Sequence, residues 1–157
     1  MTKVVIKTAD ALKAFNVLGT AKYSKLEDCD KVKVWHLFRK LKPMAEKFED
    51  DSRDAAERLK PEGDFDDRLA KAQSYEQIVK RNDGDSEKLP MGAAEYDKFV
   101  KEFKKYNKLV TDAVKDFGEK EVKIEFEPLN EDSFGKLMNS NDWTMEQVVS
   151  LAEIICE

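Results

Sequence analysis

Val34, Phe38, Leu41, Ala45, Phe48, Ser52, Ala55 and Leu59 follow one another at alternating intervals of four and three residues, and Tyr96, Phe99, Phe103, Tyr106, Val110, Ala113 and Phe117 repeat the rhythm. Such spacing returns each residue to one face of an α-helix, with charged residues between, so each stretch must bury a continuous seam. Two long amphipathic helices with no long apolar run between them dictate a mainly α fold. The expected helices cover 26–59, 64–81 and 93–118. Pro43 lies inside the first and is expected to kink or split it near Lys42. The second carries Phe65, Leu69, Ala72 and Val79 on a candidate buried face. Gly118 is expected to stop the third.

The remaining segments are shorter. Thr8 is a candidate N-cap for a helix over Ala9–Leu18 that ends at Gly19. Ser24 and Glu27 have the spacing of a capping box, as do Thr144 and Gln147 before the final helix. Glu121-Val122-Lys123-Ile124-Glu125-Phe126-Glu127 alternates strictly and reads as a strand closed by Pro128. A lone strand has no partner for its backbone, so Val4–Lys7 is expected to pair with Val122–Phe126. Two strands are marginal alone and must also pack on helices. Asn130–Met138 reads as a short helix. The predicted architecture is a helical bundle, or long helical hairpin, with a small two-stranded sheet and C-terminal helices, in one domain spanning 1–157.

Charged residues make up 39% of the chain against a typical ~25%, while nine Phe, four Tyr and two Trp supply the apolar content that a disordered chain lacks. A net charge of −5 argues against binding nucleic acid directly, which takes clustered Lys and Arg. No stretch approaches the ~20 apolar residues of a membrane span, and the run at Val4–Ile6 is too short for a leader, so an intracellularly assembled protein is expected.

Candidate chemistry is sparse. His36 is the only histidine and lies off the seam, so it is read as an exposed residue without a chemical role. Cys29 and Cys156 are too few and too far apart in sequence for a disulfide framework or a cysteine-rich zinc site. Cys29 reads as a small core residue on a Leu26–Cys29–Val32 face. Asn82-Asp83-Gly84-Asp85 invites comparison with a calcium loop, but Arg81 and Val79 fall where ligands are needed, and a polar turn fits better. The carboxylates at Glu49–Asp51 and Asp64–Asp67 fit a solvated face and a helix start. No phosphate loop or nucleophile motif occurs. No enzyme activity, cofactor or metal is expected.

The uneven feature is charge. From Glu125 to Glu157 there are eight acids against Lys136 alone, a net −7 that leaves +2 for the rest of a chain totalling −5. Lys98, Lys101, Lys104, Lys105 and Lys108 make a basic helix face. The two signs either complement one another within the fold, or the acidic end is offered to a basic-surfaced protein partner. In the second case Glu131, Asp132, Asp142 and Glu146 are the docking residues. Trp143 is then the apolar anchor, or else a staple beside the Thr144 cap. The composition leaves oligomerisation open.

The short N-terminal strand and helix, the long charged helices around Asn82-Asp83-Gly84, the Glu95-Tyr96-Asp97-Lys98-Phe99 stretch, Glu121–Leu129, Met138 and the closing helix from Thr144 resemble small phage-encoded helical proteins of uncharacterised function. Such proteins are similar to those encoded among virion and tail genes. The resemblance implies a non-enzymatic structural or assembly accessory, located in the host cytoplasm or the virion, with no catalytic residue to carry over. A phage-type inhibitor of a host defence enzyme, its acidic surface blocking a basic nucleic-acid groove, is the alternative.

Overall fold

The computed structural model describes residues 1–81 and 89–156, so the Asn82–Asp85 turn lies outside the described residues. Along these, β1 (Thr2–Lys7) leads into α1 (Thr8–Gly19), α2 (Asp28–Leu59), α3 (Phe65–Lys80), α4 (Ala93–Glu119), β2 (Glu121–Phe126), α5 (Glu131–Asn139) and α6 (Met145–Ile155). The fold is mainly α with one small antiparallel sheet. Residues Met1–Ser52 with Val114–Glu157 form one compact unit and Arg53–Ala113 a second, each with its own core.

In the first unit β1 and β2 pair antiparallel in the register Thr2↔Phe126 through Lys7↔Glu121, the pairing that the alternation at Glu121–Phe126 calls for. Ile6, Ile124 and Phe126 are buried with Val4 and Val122 beside them, so one face of the sheet turns to the core. Thr8 does not cap α1. Its amide and hydroxyl both donate to the Lys120 carbonyl at 2.8 Å, which ties the start of α1 to the start of β2. The core adds Ala11, Ala14 and Leu18 from α1, Val34, Leu37 and Leu41 from α2, and Leu151, Ile154 and Ile155 from α6.

α2 runs unbroken through Pro43. Pro43 and Arg39 are both exposed, so the carbonyl that loses its helical partner is on the side where water can serve it. The Ser24–Glu27 box does not form. Leu26 N–H closes a turn on Tyr23 O at 3.1 Å instead, and α2 begins at Asp28. The buried face of α2 runs through Asp30, Val34, Leu37 and Leu41; Cys29 and Val32 fall off it and are exposed, which corrects the expectation of a core cysteine.

Gly118 does not stop α4, which continues to Glu119. It is buried, and a Cβ there would lie 3.3 Å from the Ala9 Cβ. The glycine serves close approach of α4 to α1.

The second unit is built on rings. Phe65 is 2% exposed, with its ring centroid 5.6 Å from Phe99 and 5.2 Å edge-on from Tyr106. Ala72 and Met91 complete the buried set. Val79 is 51% exposed and leaves the face, whereas Tyr75 joins it by stacking 4.4 Å from Tyr96. The Arg68 guanidinium lies 5.8 Å over Phe65 and 5.9 Å over Phe99, and its two terminal nitrogens bond the Glu102 carboxylate at 2.5 and 3.2 Å. That hydrogen-bonded pairing with Arg68 holds the Glu102 carboxyl below the usual glutamate range.

Gly118→Val should destabilise the fold by about 1–3 kcal/mol, the usual cost of overpacking. Gly135→Ala, within α5 and with nothing inside 4 Å of its Cβ, should stabilise by about 0.5–1 kcal/mol. Equal shifts in urea midpoint would contradict the account. The Arg68–Glu102 pair, whose side chains are 26% and 33% exposed, contributes at most about 1 kcal/mol after screening. Because the Glu102 carboxyl is depressed by folding, that contribution is complete above the ordinary glutamate value of about 4.3 and fades as pH falls below it. Urea midpoints of the protein and of Glu102→Gln should therefore converge on acidification.

Candidate functional site

The C-terminal helices set out the acidic residues, and each is fixed locally. Asn130 caps α5 by accepting the Ser133 N–H at 2.8 Å, which leaves Glu131 and Asp132 exposed in a first turn where the helix dipole favours acids. Ser133 is buried, and its hydroxyl donates to Asp30 Oδ2 at 2.5 Å. Asp30 also meets Lys33 at 3.4 Å. After α5, Asn141 acts as a clamp: its Oδ1 accepts Lys22 N–H at 2.7 Å, and its Nδ2 donates to Lys22 O at 3.0 Å and Leu137 O at 2.9 Å.

The Thr144 capping box then forms as its sequence pattern requires. Thr144 N–H donates to Gln147 Oε1 at 2.9 Å, and Gln147 N–H donates back to Thr144 Oγ1 at 3.3 Å. Trp143, immediately before the cap, is half-buried and packs on the main core. That placement matches the staple role more closely than a free anchor. Asp142 and Glu146 beside it are exposed.

The named acids do not make one cluster. Asp142, Trp143 and Glu146 gather at the N-terminus of α6. Glu131 instead lies near Cys156, past the other end of α6, where its charge and, more strongly, burial push the Cys156 thiol up. An eleven-residue helix separates the two groups by about 16 Å. Lys136, the single base of this segment, reaches Glu27 at 3.8 Å.

Among the exposed apolar residues that the sequence reading did not single out, those on α6 and α2 lie beside charged groups. On α6, Met145 is 75% and Val149 54% exposed. They are four residues apart on one helix face, and the exposed Glu146 and Glu153 flank them. Val149 falls off the seam of Val148, Leu151 and Ile155, whereas Met145, three residues before Val148, keeps the seam's spacing and is exposed as the first residue of α6. On α2, Trp35 is 52% exposed with the Arg39 guanidinium 4.8 Å over its ring and the His36 ring 5.1 Å away. Trp35 borders a hollow of about 280 Å³ lined also by Leu18, Tyr23, Val34 and Phe38. The Tyr23 hydroxyl donates to Leu18 O, and burial pushes the phenol up to about 12.

The raised Cys156 thiol is a poor nucleophile near neutral pH. Among the described residues, no three His, Cys, Asp or Glu side chains converge as a metal site, and no helix is long and apolar enough to cross a membrane. What the surface offers is contact area with charge around it.

Trp35→Ala should lower stability by no more than about 1 kcal/mol, the scale of an exposed cation–π contact. It should also remove most of the acrylamide-quenchable fluorescence, because Trp143 is the more buried of the two tryptophans. Emission that stays equally quenchable would contradict this placement. The chain matches no protein-family model, no curated protein and no solved structure in the comparisons made.

Proposed function

We propose that this chain is a non-enzymatic protein-interaction module, a structural or assembly accessory of phage type, that docks a basic-surfaced partner through the outer face of α6. The observation that carries the proposal is the strip of Met145 and Val149, both more than half exposed, bordered by the carboxylates of Asp142, Glu146 and Glu153. An apolar contact area rimmed by like charges suits a partner with an apolar recess and Lys or Arg around it. The acids supply steering and register, and Met145 and Val149 supply the area whose burial holds the complex.

A photo-crosslinking side chain placed at Val149 in the producing cell should capture one predominant protein. The same group at the exposed Lys104 should not. Asp142→Lys with Glu146→Lys should abolish the adduct while costing the fold no more than about 1 kcal/mol, the scale of a helix-dipole contact. Scattered adducts, or capture unaffected by charge reversal, would refute the docking face. Mass spectrometry then separates the two phage roles: presence in purified particles fits the accessory, whereas an adduct with a nucleic-acid-cleaving enzyme moves the function to the inhibitor.

A further inference from the structure

The register of the sheet fixes which backbone groups of β1 are spent. Thr8 N–H donates to Lys120 O, and Thr8 and Lys120 continue the pairing one step beyond Lys7↔Glu121. Antiparallel ladders alternate bonded and non-bonded pairs. The bonded pairs are therefore Ile6/Val122, Val4/Ile124 and Thr2/Phe126. The amides and carbonyls of Lys3 and Val5 point away from β2, and among the described residues no backbone group outside the sheet bonds them. The outer edge of β2 differs, since the Lys40 ammonium of α2 donates to the Glu125 carbonyl there. On β1 the edge is open: the Lys3 and Lys7 side chains are 77% and 54% exposed, and Val5 is 51% exposed.

We propose that this edge docks an extended acidic segment of a partner protein, which adds a third antiparallel strand with glutamates opposite Lys3 and Lys7. The complement is already written on the other side of β1. There β2 reads Glu121-Val122-Lys123-Ile124-Glu125, placing Glu125 opposite Lys3 at 3.9 Å and Glu121 opposite Lys7, whose ammonium pairs with Glu119 at 2.7 Å. A strand shows the same two side-chain faces to both neighbours, so the pattern Glu-apolar-any-apolar-Glu that suits one edge suits the other. Main-chain bonds to Lys3 and Val5 hold the added strand, and the alternating carboxylates select it.

A second copy of this chain is the wrong occupant. Antiparallel overlap of two β1 strands about Val5 sets Lys3 of each opposite Lys7 of the other, and like charges directly opposed are destabilising. Edge lysines are a common means of preventing self-pairing. The site is independent of the α6 face, and either can fail alone.

The test uses the full chain and the peptide Thr-Glu-Val-Lys-Ile-Glu-Thr, with hydrogen exchange read residue by residue. Saturating peptide should slow exchange at the Lys3 and Val5 amides by about tenfold or more while Val4 and Ile6, already bonded to β2, keep their rates. A peptide with both glutamates replaced by lysine should protect nothing. Lys3→Glu should lose the effect, and a peptide with lysine in place of its second glutamate should restore it. Val5→Pro, which removes one outward N–H, should fold and fail to bind; if it does not fold, the Lys3 charge swap decides. Absence of protection, equal binding by Lys3→Glu, altered exchange at Val4 and Ile6, or protection of Lys3 and Val5 by dimerisation without peptide would each overturn the proposal.

Discussion

The first unit depends on the joint at which Thr8 gives both its amide and its hydroxyl to the Lys120 carbonyl. The two residues are 112 apart in sequence, so the contact closes a very long loop. Loop-closure cost rises only about 0.6 kcal/mol per doubling of length, and a modest set of contacts is enough to offset it. The pairs from Lys7↔Glu121 to Thr2↔Phe126 extend the joint into a sheet, and the Lys7–Glu119 ion pair at 2.7 Å borders it. Two residues before Lys120, the absence of a side chain at Gly118 lets the end of α4 come against Ala9. A bulkier residue would hold α1 and the start of β2 apart, and the ladder would lose its first rung.

The two cores use different chemistry. The first is mostly aliphatic, joining sheet, α1, α2 and α6 through branched side chains that fill space without directional demands. The second relies on Phe65, Phe99, Phe103 and Tyr106, with Arg68 lying across two of the rings while Glu102 neutralises it. In that unit a small number of rings supplies the buried area, and ring geometry adds the orientation that a short α3 alone would not impose.

Much of the fold was legible because it rests on periodicity. The seams of α2 and α4, the strand at Glu121–Phe126, its pairing with β1 and the Thr144–Gln147 box all follow from spacing within a few turns or from one unsatisfied ladder. What escaped depends on tertiary contacts. Gly118 looks like a helix stop until Ala9 is seen opposite it. Cys29 looks buried beside Leu26 and Val32 until the buried face of α2 is seen to run through Asp30, Val34, Leu37 and Leu41, a 4-3-4 spacing that Cys29 and Val32 both miss. The acids of the C-terminal segment read as one patch in the sequence, but α6 stands between Glu131 and Glu146. The exposure of Val149 was legible from the seam it misses, and Trp35 likewise from the Val34–Phe38–Leu41 face beside it, whereas Met145 keeps the seam's spacing and is exposed because α6 starts there.

The sheet that brings residues 2–7 against 121–126 also sets an order of events during synthesis. Ribosomes add about 5–20 residues per second, so β1 leaves the exit tunnel on the order of ten seconds before its partner strand exists. Throughout that interval both of its edges are bare, and several copies on one message stand close together. Arg53–Ala113 is complete before β2 emerges, so the ring-built core can close while the aliphatic one waits for its last strand and helices. Lys3 and Lys7 then protect β1 when it is most exposed, by making each waiting strand a poor mate for the next until the acidic strand of its own chain arrives.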